Sequence, residues 1–232
     1  MSFKTILVAG ASRGIGLAVA GHFISQCDRL IAVSCTEAPV GEWVRADFSD
    51  LAGVETVAKA VGGDRLDALL YVGGTWETHA FTSQYRFEDC SDEDIARVIA
   101  VNLVAPIRLV KALLPALRRS DNPKILFMGA LSGRENFPAR EVANSASKFG
   151  LRGVVHSLRE ELRSQRICAT VINPGNIGTP EVLADLAEDG DPTGDRAIPL
   201  SDLMSVIDCV LSLSRSTCIK EIDLPAMLGE GA

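Results

Sequence analysis

Ile6-Leu7-Val8-Ala9-Gly10-Ala11-Ser12-Arg13-Gly14-Ile15-Gly16 is an apolar run that ends in three glycines and leads into the helix-compatible Leu17-Ala18-Val19-Ala20. It reads as a buried strand turning into a helix through a loop with little room for side chains. The first turn of a helix leaves N–H groups unpaired and carries the positive end of the dipole, so a loop of this shape attracts phosphate. Gly10 permits the tight turn, Gly14 lets the backbone come close to a pyrophosphate, and Gly16 lets the helix lie close on the strand. The spacing is G-x-x-x-G-x-G, not G-x-G-x-x-G.

Outward from this stretch, strand-like and helix-like segments alternate about seven times. That order implies an α/β fold: a doubly wound, Rossmann-like parallel sheet of seven strands with helices on both faces and right-handed crossovers. At 232 residues and 47% hydrophobic composition, one domain covering residues 1–232 is expected, with no second core. The net charge of −7, with no basic cluster, argues against nucleic acid and anionic membrane as partners. Cys27, Cys35, Cys90, Cys168, Cys209 and Cys218 show no C-x-x-C spacing, and several sit in apolar runs where a thiol acts as a small hydrophobe. They are expected to be reduced, and the chain cytoplasmic. The first strand begins too near Met1 for a signal peptide, and no uncharged apolar run approaches eighteen residues.

Leu30-Ile31-Ala32-Val33 is a second buried strand, followed by Ser34-Cys35-Thr36. No acidic side chain stands at its end to bind an adenosine ribose and repel a 2′-phosphate, and Arg13 is available to meet that phosphate. The pair favours NADP(H) over NAD(H), while Glu37, one step further on, argues the other way. Trp43 to Ala46 is a third strand, with Asp47 and Phe48 after it. Leu51, Val54, Val57, Ala58 and Val61 recur at helical spacing and stop at Gly62-Gly63. Leu69-Leu70-Tyr71-Val72-Gly73-Gly74 is a fourth strand whose glycines allow close approach. Residues 75–90, with Trp76, Glu77, His79, Phe81 and Tyr85, form a long loop at the carboxyl end of a central strand, where open α/β sheets bind ligands.

Ser91 to Asp94 resembles a capping box, and Ile95, Val98, Ile99, Asn102 and Leu103 follow at helical spacing. Asn102 thus lies on the buried stripe and requires a specific partner. Pro106 should bend this helix without ending it. Further strands are read at Lys124 to Met128, Ile167 to Ile172 and Ile219 to Leu224, and a helix around Leu203 to Leu213.

The glycine loop with Ala11-Ser12-Arg13 inside it resembles that of the short-chain dehydrogenase/reductase family, and Asn173-Pro174-Gly175-Asn176-Ile177-Gly178-Thr179 resembles that family's Pro-Gly-x-x-x-Thr. The resemblance covers nearly the whole chain. It implies a cofactor site made by Gly10, Ser12, Arg13, Gly14, Ile15, Gly16, Cys35, Thr36, Asp47, Phe48, Gly73, Gly74, Lys148, Pro174, Gly175, Ile177 and Thr179, with no metal. Asp47 falls where the family places an aspartate on the adenine ring, although an isolated Asp is more often a helix cap. Asn102 matches a helix asparagine of the family's proton relay, a structural buried asparagine being the competing account. Asn144-Ser145-Ala146-Ser147-Lys148 matches Tyr-x-x-x-Lys except at its first residue, so Asn102, Asn144 and Lys148 are the candidate catalytic positions. The family's serine, which binds the substrate carbonyl, is replaced by Ala130, with Ser132 two residues out of register. Tyr71-Val72 likewise stands where the family usually has two asparagines.

A carboxamide has no proton that titrates near neutral pH, so ordinary carbonyl reduction is in doubt. Three functions compete. One is an atypical NADP(H)-dependent oxidoreductase acting on a small molecule, delivering hydride to a conjugated C=C or an iminium. A second is a cofactor-binding pseudoenzyme that scaffolds an active reductase. A third is a non-redox enzyme using Glu77, His79 or Arg134 as acid and base. A homodimer or homotetramer built on the helices around Asn102 and Asn144 is implied, and small residues at Ala146, Gly150 and Gly153 suit either a helix pair between subunits or tight packing within one.

Overall fold

The computed structural model describes residues 3–229; residues 1–2 and 230–232 of the expected domain lie outside them. Seven parallel strands form one sheet in the order β3-β2-β1-β4-β5-β6-β7. They are β1 Phe3–Ala9, β2 Cys27–Ser34, β3 Glu42–Arg45, β4 Ala68–Tyr71, β5 Lys124–Met128, β6 Cys168–Pro174 and β7 Glu221–Leu224. The helices are α1 Gly14–Phe23, α2 Leu51–Val61, α3 Asp92–Ile99, α4 Ala105–Leu117, α5 Val142–Leu162, α6 Pro180–Glu188 and α7 Leu200–Ser212. Both the expected sheet and the expected single domain are observed.

Alternation along each strand divides the core. Leu7, Ala9, Ile31, Leu69, Tyr71, Ile125 and Phe127 share a buried cluster with residues of α2, α4 and α5. Ile6, Val8, Leu30, Leu70, Leu126 and Met128 share one with residues of α1 and α7. Successive side chains of a strand point to opposite faces, so a strand covered on both sides is apolar throughout. That is why β1, β4, β5 and β6 read as continuous apolar runs.

The strand order turns back between β1 and β4, and their carboxyl ends are pressed together. Gly10, at φ +94, has no room for a side chain, since a Cβ there would lie 2.4 Å from the Cα of Gly73. A Cβ on Gly16 would lie 1.9 Å from the Gly10 carbonyl oxygen, so α1 crosses directly over the turn.

Residues Asp92–Leu117 run as one 26-residue helix. Ser91 caps it through the Asp94 amide at 3.1 Å. A π-turn at Ala100–Val104 interrupts the α-helical ladder just before Pro106, which bends the path without ending it. Among the described residues this is the one helix long and apolar enough to cross a membrane, and Ala105, Leu109, Val110, Leu113 and Leu117 place its apolar stripe in the core beside the sheet.

The expectation of six reduced thiols is overturned. Cys168 and Cys218 form a disulfide, their Cα atoms 5.4 Å apart across a separation of 50 residues. Cys168 opens β6 and Cys218 lies just before β7, so it is the β6–β7 pairing that brings them together, and no spacing rule reveals it. Cys27, Cys35, Cys90 and Cys209 are free. Thiol titration of the denatured, unreduced protein is expected to find four reactive groups against six after reduction; six without reduction would remove the bridge.

Candidate functional site

The β1–α1 turn offers unused donors. Leu17 N–H closes onto the Arg13 carbonyl at 3.1 Å, whereas the amides of Gly14, Ile15 and Gly16 have no hydrogen-bond partner among the described residues. Arg13 precedes the helix in an extended conformation without a capping side chain, and the first turn carries no acid. Gly14 sits at φ +52 with open space where a Cβ would be. Ser12 and Ile15 are half-buried beside it. An anionic group fits here, because the amides and the dipole are free and nothing blocks approach.

At the carboxyl end of β2, Ser34 Oγ–H donates to the Thr36 carbonyl at 2.7 Å, and Cys35, Thr36 and Glu37 are exposed. Asp47 folds back to accept Ser49 N–H at 2.8 Å and Ser49 Oγ–H at 2.7 Å. Its neighbour Asp50 caps α2 through the Ala52 amide at 3.1 Å. Phe48 turns away from the opening into the core, its ring 5.4 Å from that of Tyr71. Arg13 is exposed and lowers the pKa of the Glu181 carboxyl across the opening, after the backbone and Thr179 contacts that lower it more. Arg45 was not singled out in the sequence. It pairs with Ser34 in the strand register and its charge acts on the Cys35 thiol. Only that register reveals it, because along the chain it is one more surface arginine.

The centre of the site lies at the ends of β4 and β5. A Cβ on Gly74 would be 3.5 Å from Asn102 Oδ1 and 3.6 Å from Lys148 Nζ, which places both groups against Gly74. Asn102 is 2% exposed. Its Oδ1 accepts Thr75 N–H at 2.9 Å, and its Nδ2 donates to the Thr75 carbonyl at 2.7 Å, Ser147 Oγ at 3.1 Å and Asn144 Oδ1 at 3.5 Å. It is carried by the π-turn, whose Val101 carbonyl accepts the Tyr71 hydroxyl at 2.6 Å. Tyr71 thus holds the helix from the strand.

Asn144 is buried on α5, and its Nδ2 donates to Ser132 Oγ at 3.5 Å. Ser132, two residues beyond Ala130 in the chain, thus reaches Asn144. A 3-10 turn at Leu131–Gly133 after β5 swings Ser132 back toward α5, whereas Ala130 is extended and half-exposed at its start. Gly133 presses on α5 so closely that a Cβ there would lie 2.8 Å from the Lys148 carbonyl carbon. Lys148 Nζ donates to the Met128 carbonyl at 3.0 Å, and burial pushes its ammonium down to about 8.

The third side comes from β6. Gly175 N–H donates to the Leu224 carbonyl at 2.9 Å, Ile177 forms a bridge with Ile198, and Thr179 caps α6. Asn173 Nδ2 donates to Glu221 at 2.7 Å and to Asp223 at 2.9 Å, both of which also pair with Arg134 at 3.1 Å.

A glycine-turned switch point with an Asn102/Asn144/Lys148 cluster beside it is now in view, and the family model for short chain dehydrogenase matches residues 4–189. The chain belongs to the short chain dehydrogenase family. The short chain dehydrogenase adrF of Penicillium roqueforti is 29% identical over 193 residues, covering 77% of this chain and 72% of that one. A metagenomic short-chain oxidoreductase solved in complex with NADP is 25% identical with a TM-score of 0.76, covering 98% of each chain. The structure described as a Pseudomonas aeruginosa RhlG/NADP active-site complex is 21% identical with a TM-score of 0.80, covering 98% of this chain and 96% of that one, a likeness of fold.

The three residues considered as acid and base differ in their surroundings. Glu77 is buried, His79 is exposed on the loop, and Arg134 is held in ion pairs with Glu221 and Asp223.

Because the Lys148 pKa is depressed in the fold, the unfolded chain holds more protons than the folded one between about pH 8 and the unfolded value near 10.5. Wild-type stability should therefore gain from this group as pH rises through that window, and the gain is absent below it. Lys148→Met removes the group. The Tm of the variant relative to wild type is expected to fall steadily from pH 7.5 to pH 10 in thermal melts, and a constant difference would refute the buried-cation account.

Proposed function

We propose that this chain is an NADP(H)-dependent oxidoreductase that delivers hydride without a tyrosine general acid. The observation that carries the reading is the convergence of Lys148, Asn102 and the Asn144–Ser132 pair beside Gly74; by the resemblance, Asn144 would take the tyrosine's place. The pyrophosphate would lie on the free amides of Gly14, Ile15 and Gly16, the adenosine against Cys35 and Thr36, and the nicotinamide end near Gly73, Gly74, Pro174, Gly175, Ile177 and Thr179. When bound, the cofactor supplies the hydride. Lys148 would donate to its ribose hydroxyls, and Arg13 with Arg45 would meet the 2′-phosphate. The NADP named in the RhlG and metagenomic structures supports the same choice.

Asn144 Nδ2–H and Ser132 Oγ–H are neutral donors that can hold a substrate oxygen on which negative charge develops. In hydride addition to a conjugated C=C the charge moves to that oxygen, and the resulting enolate is protonated at carbon by water, so the oxygen needs donors and not a titrating acid. Enones therefore suit the site better than simple ketones. Calorimetry is expected to show tighter binding of NADPH than NADH, with Arg13→Ala or Arg45→Ala weakening NADPH selectively, and NADPH affinity falling as pH rises through about 8 when Lys148 loses its charge. An enone panel should oxidise NADPH, and the double variant Ala130→Ser, Asn144→Tyr should gain ketone reduction mainly in kcat. Tight NADPH binding with no turnover of any enone, imine or ketone would favour the scaffold role instead.

We also propose a homodimer through α4 and α5. Support comes from the exposed Val104, Ile107 and Phe149 on neighbouring helical surfaces and from the open space over Gly153, whereas Gly150 is filled from within by Leu103. Gly153→Leu should convert the dimer to a monomer in light scattering; a wild-type monomer at micromolar concentration would exclude the arrangement.

A further inference from the structure

The first turn of α5, which carries Asn144, has no cap of its own. Its N-terminal flanking residue Glu141 makes no capping bond. The helix's own ladder begins only at Ser145 N–H, which donates to the Glu141 carbonyl at 2.9 Å. The three amides before it are taken by residues far back in the chain. Val142 N–H donates to Tyr85 Oη at 3.2 Å, and Ala143 N–H and Asn144 N–H both donate to Glu77 Oε1, at 2.7 and 3.2 Å. Tyr85 O–H in turn lies 3.5 Å from the same Glu77 oxygen. Glu77 is 1% exposed and Tyr85 2%, and burial pushes the Tyr85 phenol up to about 12.

The tie is reciprocal. Glu141 sends its carboxylate the other way, accepting Phe81 N–H at 3.0 Å and Arg140 N–H at 3.1 Å. His79 and Phe81 are held in the left-handed region, φ +62 and +64, where a side chain is rarely found without surrounding contacts that impose it. With the Thr75–Asn102 pair, the loop is fastened at three points around Asn144: to the π-turn, to the α5 amides and to Glu141. A buried carboxylate is costly unless donors meet it, and helix amides with the positive end of the dipole are such donors. Glu77 Oε2 has no partner among the described residues, so Oε1 alone carries the whole attachment.

We infer that Glu77 and Tyr85 are positioning residues for the candidate active site, acting together as a remote N-cap of α5 that sets Asn144 and Lys148 against Ser132 and Asn102. Neither touches the reacting atoms in this account. Its link to catalysis rests on the function proposed above, and its structural half does not.

The test uses the full chain with Glu77→Ala, Glu77→Gln and Tyr85→Phe, read by amide hydrogen exchange and by NADPH titration. Glu77→Ala is expected to speed exchange at Ala143 and Asn144 by about tenfold or more, the scale of one lost hydrogen bond, and to weaken NADPH by several-fold. Glu77→Gln keeps the Oε1 acceptor and should restore both to within about threefold of wild type. Tyr85→Phe should speed exchange at Val142, and it serves if the alanine variant does not fold. Unchanged exchange in both Glu77→Ala and Tyr85→Phe would overturn the cap. A Glu77→Gln variant that restores exchange but leaves NADPH binding as weak as in Glu77→Ala would overturn the positioning role, since an acid–base role would then be at work. Should wild type fail to bind NADPH while exchange responds as expected, the cofactor reading falls and the cap stands.

Discussion

The contact between Gly10 and Gly73 is the constraint on which the rest of the site depends. β1 and β4 are paired neighbours in the sheet, and the chain leaving their carboxyl ends comes within backbone contact, where a single Cβ on Gly10 would lie 2.4 Å from the Gly73 Cα. With the turn this tight, α1 starts directly above it and leaves its first amides facing the opening. The same closeness sends Gly74 and Thr75 toward Asn102. One packing fact thus produces both the anion-binding turn and the approach of the chain to the central cluster.

Around that point the polar groups are arranged by long-range hydrogen bonds more than by local ones. The π-turn at Ala100–Val104 sets Asn102 out of a regular helix, and the Tyr71 hydroxyl satisfies its Val101 carbonyl. Asn102 spends its carboxamide on Thr75, Ser147 and Asn144, which fits a bracing role at least as well as a relay. The start of α5 is held in the same manner, through Glu77 and Tyr85. Such buried networks are rigid when satisfied, and they bind the 75–90 loop to the two helices that form the site.

The side chains at the end of β5 and the start of α5 limit the chemistry of the site. Ala130 offers no donor, but Ser132 reaches Asn144 through a 3-10 turn, and the pair presents neutral hydrogen-bond donors. Lys148 survives beside them, with its charge weakened by burial. A site of this kind can stabilise an oxyanion more readily than it can transfer a proton to oxygen.

Strand and helix order, the glycine turn, the capping box at Ser91 and the bend at Pro106 were legible in the sequence, because each rests on local periodicity or on backbone conformations that only a few residues accept. So was the burial of Asn102, from its place on an apolar stripe. Other features depended on register and long-range approach, which no local pattern encodes. Cys168 meets Cys218 because β6 pairs with β7, Arg45 arrives beside Cys35 because β2 pairs with β3, and Phe48 turns inward onto Tyr71. Glu77 read as a loop acid that could serve as acid or base. Only the folding of that loop onto α5, 66 residues further along the chain, turned it into a helix cap, since the unpaired amides of a helix start are supplied locally but can be satisfied from anywhere in the fold.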